Sequence, residues 1–163
     1  MKFTVSFLIL LSFFLSPALE AKKKITLNAI FNEYAFYPNT VKGLRTMQNG
    51  EHYTILDQFF EIEKYDYEKG EFIETVFSVK DIPNPPFKFI DDYEFSRDET
   101  KLLLTTEKIE IYRRSYLASY YIYDLITKRL TPLSVNGMQQ LASFSPDGKM
   151  VAFVRKNNIF IKN

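Results

Sequence analysis

Residues 142–154, Ala142-Ser143-Phe144-Ser145-Pro146-Asp147-Gly148-Lys149-Met150-Val151-Ala152-Phe153-Val154, set an Asp-Gly turn signal between two strand-like runs. Such a dipeptide between apolar-rich runs reads as a tight connection of antiparallel strands. The same arrangement stands twice upstream. Residues 44–56, LRTMQNGEHYTIL, centre on Asn49-Gly50, and residues 93–104, YEFSRDETKLLL, centre on Asp98-Glu99. The turns at Asn49, Asp98 and Asp147 are 49 residues apart each time (98 − 49 and 147 − 98). Each is followed by a second element, marked by Tyr65-Asp66, Tyr123-Asp124 and Ile161-Lys162. After the first two come polar turns, YEKGEF and LITKRL, and another short strand. A turn, a hairpin and a second turn make a four-stranded unit, and a period of about 40–50 residues with four strands is that of a propeller blade. The expected fold class is all-β: a partial β-propeller of about three four-stranded antiparallel blades, after an N-terminal signal helix.

The interior spacing is uneven in one place. From the turn to the second element is 17 residues in the first copy (66 − 49), 26 in the second (124 − 98) and 15 in the third (162 − 147). The second copy thus carries about nine extra residues, and they fall in the interval Thr105 to Ser119. That interval holds Arg113 and Arg114, flanked by Tyr112 and Ser115-Tyr116, and runs into the strand-like Tyr120-Tyr121-Ile122-Tyr123. Interruptions of a repeat are where binding groups are commonly hung. Successive strand connections alternate between the two ends of a blade, so the insertion is expected opposite the turns at Asn49, Asp98 and Asp147.

Composition narrows the function classes. The 163 residues suit one ordinary domain. Lys+Arg is 21 against Asp+Glu 20, a net charge of +1, without the basic excess of a nucleic-acid binder. There is no cysteine, so disulfides, thiolate metal sites and a cysteine nucleophile are excluded. The N-terminus has the form of a secretory signal: Lys2, an apolar run over 3–15, and small residues for cleavage after Ala18 or Ala21. The run is short for a membrane span of about 20 residues; an uncleaved anchor is the other reading. The expected organisation is a signal peptide over 1–21, a lead-in over 22–43 and an incomplete propeller over 44–163. Residues 27–31, after the polar Thr26, could form a helical turn, and Pro83-Asn84-Pro85-Pro86 reads as a connection between sheets.

YRRSYLASYYIYDL (112–125), preceded by DDYEFSRDETKLLLTTE and followed by LASFSPDGKMVAFVRKNNIFI, resembles the N-terminal part of the dipeptidyl peptidase IV family. These are prolyl-oligopeptidase-like serine peptidases, and the resemblance, to the bacterial secreted members, covers roughly Lys24 to Asn163. It implies an N-terminal propeller followed by an α/β-hydrolase domain that releases Xaa-Pro dipeptides from peptide N-termini. It implies that Arg113 binds a backbone carbonyl of the peptide substrate; Arg114 stands where the family commonly has histidine. It implies dimers among intact homologues, an exported location and no cofactor. The family's paired glutamates lie further along the propeller than this chain extends. None of Gly43, Gly50, Gly70, Gly137 and Gly148 is followed two residues later by serine, so the chain has no nucleophile elbow and alone should be inactive. The alternative is a non-catalytic periplasmic β-propeller that binds a protein partner.

The remaining polar residues read as structural. His52 is expected as a surface turn residue. Asp91, Asp92 and Glu94, which could suggest a metal site, alternate along a strand and read as solvated, as do Asp57, Glu61, Glu63 and Lys22-Lys23-Lys24. Tyr120, Tyr121 and Tyr123 read as packing between blades. An unclosed ring should expose Phe144, Val151, Phe153 and Ile159 and leave an open edge, so the chain is expected to be a fragment, poorly soluble or molten alone.

Overall fold

The computed structural model of the chain describes residues 24–38 and 40–163; the segment expected to be a signal peptide, 1–21, lies outside the described residues. The chain divides into two compact units, Met1–Asn39 and Thr40–Asn163. In the first, Leu27–Phe31 forms helix α1. Its cap is Thr26, whose Oγ1 accepts the Ala29 N–H at 3.0 Å, satisfying one of the free donors of a helix start. This is the expected helical turn.

The second unit is built from three antiparallel sheets, each strand hydrogen-bonded to its chain neighbour. The first sheet holds β1 (Arg45–Thr46), β2 (His52–Asp57), β3 (Glu61–Asp66) and β4 (Phe72–Ser78). The second holds β5 (Asp92–Phe95), β6 (Lys101–Tyr112), β7 (Ser115–Asp124) and β8 (Arg129–Pro132). The third holds β9 (Gln140–Phe144), β10 (Val151–Arg155) and β11 (Asn158–Lys162). This is the partial propeller. The proline-rich stretch lies between β4 and β5, as expected, and its flanks bond back to the β2–β3 turn through Val79 N–H to Phe60 O (3.0 Å) and Ile90 N–H to Phe59 O (2.8 Å).

The three repeated turns share one conformation. The residue after Asn49, Asp98 and Asp147 has φ of +70° at Gly50, +55° at Glu99 and +69° at Gly148. In the second and third, a serine closes the turn. Ser96 Oγ donates to Asp98 Oδ1 (2.7 Å) and accepts the Lys101 N–H (2.9 Å); Ser145 Oγ does the same to Asp147 (2.5 Å) and Met150 (2.9 Å). Neighbouring turns touch. Glu99 Oε1 accepts the Gln48 N–H at 2.6 Å, and Arg97 Nη1 donates to Pro146 O at 3.5 Å.

The middle sheet is covered on both faces. Leu102, Leu104 and Tyr123 join Leu56, Ile62 and Phe77 of the first sheet in one core. Leu103 and Tyr120, pointing the other way as strand alternation requires, join Val151 and Phe153 of the third. The tyrosines thus pack between sheets as expected. Two of the four residues expected to be bare are not. Val151 is 2% and Phe153 6% exposed, because both face the middle sheet, and Phe144 is half-buried against the same core. Ile159 is exposed.

The arginine-tipped ribbon, a candidate substrate-binding site

The extra residues of the second repeat do not form a loop. They lengthen a hairpin: β6 has 12 residues and β7 has 10, where β2 and β3 have six each. The partner strand β5 stops at the pair Asp92↔Thr105. Beyond it the register shifts between Thr106 and Ile109, with Glu107 at φ +54°. Two strands then run on alone through Ile109↔Leu117, Glu110↔Tyr116 and Tyr112↔Ser115. A second shift lies between Glu110 and Tyr112. At a rise of about 3.3 Å per residue, β6 carries the chain roughly 35 Å from the Ser96–Thr100 turn to its far end. The tip is therefore at the opposite end of the blade from the repeated turns, as the spacing predicts.

Arg113 and Arg114 are the two residues of the tip, and neither has positive φ. The turn is thus not of the primed type usual in two-residue hairpin loops; the irregularity just before it supplies the extra twist. Both arginines are exposed, and within the described residues neither guanidinium has a hydrogen bond or ion pair. A planar guanidinium with uncommitted N–H groups is suited to carbonyl and carboxylate oxygens. The ribbon below it is amphipathic. The Lys108 ammonium lies 4.6 Å over the Tyr116 ring and 3.6 Å from Glu110, while Ile109 and Ile111 are exposed.

At the ribbon's foot is an open cleft whose lining includes Lys42, Arg45, Asp91, Asp92, Lys108 and Glu110. Arg45 Nη2 donates to Asp92 Oδ1 at 2.9 Å. Beneath it, Tyr93 Oη donates to Gly43 O at 2.6 Å and lies 2.7 Å from Thr54 Oγ1. Burial pushes the Tyr93 phenol up to about 12.

Four of the six carboxylates expected to be solvated have partners, while Glu94 is exposed as expected. Asp92 pairs with Arg45, and Asp91 Oδ2 accepts the Lys108 N–H at 2.9 Å. Glu61, half-buried, accepts from Lys80 Nζ (2.8 Å) and Ser78 Oγ (3.2 Å), and the Lys80 ammonium above all holds its carboxyl below the usual range. Glu63 accepts from Tyr65 Oη at 2.6 Å. In each case the partner comes from another strand or turn, or from alternate positions on one face. His52 opens β2, half-buried, its Nδ1 2.6 Å from Asn49 Nδ2. Among the described residues no three His, Asp or Glu side chains converge on a point that could hold a metal.

Gln139 was not legible as a site residue. It is 1% exposed and extends the middle sheet at the foot of the ribbon. Its backbone exchanges two hydrogen bonds with Ala118 (2.9 and 2.8 Å), and its Oε1 accepts the Tyr120 N–H at 3.2 Å.

Residues 96–163 match the family described as the dipeptidyl peptidase IV (DPP IV) N-terminal region. A probable dipeptidyl peptidase 4 of Aspergillus clavatus is 42% identical over 82 residues, 47% of this chain and 11% of that protein. A probable dipeptidyl peptidase 4 of Aspergillus fumigatus is 29% identical over 150 residues, 90% of this chain and 19% of that protein. The crystal structure of dipeptidyl peptidase 4 from Porphyromonas gingivalis matches with a TM-score of 0.75 at 42% identity, covering 86% of this chain and 20% of that one. The chain spans a fifth or less of the length of these relatives.

Proposed function

We propose, for a chain that carries the N-terminal propeller sequence and fold of the dipeptidyl peptidase IV family, that it supplies part of the substrate grip of an exported serine dipeptidyl peptidase. The reaction would be release of Xaa-Pro dipeptides from peptide N-termini, with the Ser-Asp-His chemistry on a hydrolase domain outside these residues. Export would use the segment over 1–21, and the intact enzyme would be a dimer. The role assigned here is binding: Arg113 donates a hydrogen bond to a backbone carbonyl of the peptide. The observation that carries this reading is the uncommitted Arg113 guanidinium at the tip of a ribbon that its sister repeats lack.

Its magnitude follows from charge assistance. A hydrogen bond from a charged donor contributes about 1.5–3 kcal/mol, or roughly tenfold to somewhat over a hundredfold in affinity. The reading is tested in a chimera. Residues 24–163 replace the matching part of Porphyromonas gingivalis dipeptidyl peptidase 4, and release of dipeptide from an Xaa-Pro substrate is followed. Arg113→Ala should lower kcat/KM by about tenfold or more, and Arg114→Ala much less. An unchanged kcat/KM for Arg113→Ala would refute the carbonyl contact.

A further inference from the structure

A two-stranded ribbon standing alone is marginal in water, and a bulge at its root is a place to bend. Over the roughly 20 Å from Glu107 to the tip, each 10° of swing would move Arg113 by about 3.5 Å. That exceeds the few tenths of an ångström a hydrogen bond tolerates. Something at the root must therefore set the ribbon's direction if the tip is to meet a fixed acceptor.

We infer that Asp91 is this positioning residue. It bonds β6 both before the bulge and within it. Its backbone N–H donates to Thr105 O at 2.8 Å, before the register shift, and its Oδ2 accepts the Lys108 N–H at 2.9 Å, within it. Between the two anchors lie Thr106 and Glu107, the latter in the left-handed region at φ +54°, so the clamp spans the strained position itself. Glu107 is tied across the ribbon as well, its Oε2 accepting from Ser119 Oγ at 2.8 Å. On the β7 side the backbone exchange between Ala118 and Gln139 holds the same level. The bond at Asp91 is charge-assisted, and among the described side chains it is the one that joins the ribbon to β5's approach. What the clamp does for substrate rests on the substrate reading above; what it does to the ribbon does not.

The chain has no cysteine, so two introduced cysteines give a clean spin-label pair: Arg114→Cys at the tip and Lys69→Cys on the first sheet. In this background Asp91→Ala should widen the tip distance distribution by about twofold or more. Asp91→Asn keeps an acceptor oxygen and should keep the distribution narrow. Hydrogen exchange at the Lys108 amide should quicken roughly tenfold in Asp91→Ala and about fivefold in Asp91→Asn, where a charged bond becomes a neutral one. Unchanged width in Asp91→Ala, with the Leu102 to Leu104 amides still protected, would overturn the inference. Should Asp91→Ala lose that protection, Asp91→Asn decides: unchanged exchange at Lys108 overturns the clamp and faster exchange supports it. In the chimera, Asp91→Ala should raise KM with kcat retained, and Asp91→Asn should restore KM. A widened tip with KM unmoved would leave the clamp standing and remove the substrate role.

Discussion

Gly43 has no freedom to carry a side chain. It adopts φ +60°, and a Cβ there would lie 2.9 Å from Leu56 Cβ and 3.0 Å from Tyr93 Cε1. Its carbonyl also accepts the Tyr93 hydroxyl. Gly43→Ala should therefore cost about 2–4 kcal/mol, combining left-handed backbone with overpacking, read as a fall in the denaturation midpoint at unchanged slope. Nothing around Gly43 in the sequence signals this, because its contacts come from Leu56 and from Tyr93, 50 residues on. The turn glycines were legible, since their cause is local. Tyr93 gives a second prediction. Its folded value, near 12, lies above the ordinary tyrosine value of about 10. Its stabilising contribution is thus complete below about pH 10 and is lost as pH rises from there towards its folded value. Tyr65 adds to the same limb, raised to about 12 chiefly by the Glu63 carboxylate it bonds. Stability measured by denaturation should fall over that window, and less steeply in Tyr93→Phe, from a lower starting value because the bond to Gly43 is gone. An identical slope in Tyr93→Phe would show that other tyrosines govern alkaline unfolding.

Among the elements, the ribbon was half legible. Counting residues between turns located it, found its arginines and gave the correct end of the blade. Counting could not say that the extra residues are strand. That depends on pairing between β6 and β7, which begins inside the sheet at Lys101↔Asp124 and carries on past the last β5 partner. The partners of Asp91 and Asp92 were missed for a related reason. Alternation along a strand separates Asp91 from Asp92 correctly, but it is silent about the Lys108 N–H and the Arg45 guanidinium that meet them. Gln139 shows how a non-repeating residue finishes an element. Tyr120 O accepts from Leu133 N–H (2.8 Å), so the Tyr120 N–H faces the same edge, just where β8 pairing has given out, and Gln139 Oε1 takes it. Gln139→Ala should leave that buried donor without an acceptor and cost about 1–3 kcal/mol. Exchange of the Tyr120 amide should quicken, while amides at the Ser96–Thr100 turn should not change. An unaltered Tyr120 amide would show that water replaces the side chain there.

Taken as a molecule, the three sheets stack through a middle sheet that belongs to both neighbours. The run Leu102-Leu103-Leu104 is apolar without alternation, the pattern of a strand buried on both faces. Leu102 and Leu104 enter the core with the first sheet, and Leu103 enters the core with the third. The edge-to-face contact of Phe77 with Tyr123, 4.7 Å between ring centres, crosses the first interface, and Val151 and Phe153 fill the second. This is why the expectation of a bare third sheet was too simple: its inner face is spent on the middle sheet, and exposure falls on Ile159, as expected, and on Ile161. If stability is the sum of sheets and nearest-neighbour interfaces, as in other stacked repeats, damage should stay where it is made. Leu103→Ala removes about 2–5 kcal/mol from one core. It should speed amide exchange across β9, β10 and β11 and leave β2 and β3 protected. Leu102→Ala removes a similar amount from the other core and should do the reverse, exposing β2 to β4 and sparing β10. Peptide-level exchange on the two variants, side by side with the parent, separates the cases. Equal loss of protection in all three sheets from either substitution would mean that the unit unfolds as one cooperative body, and the ribbon would then open only together with the whole fold.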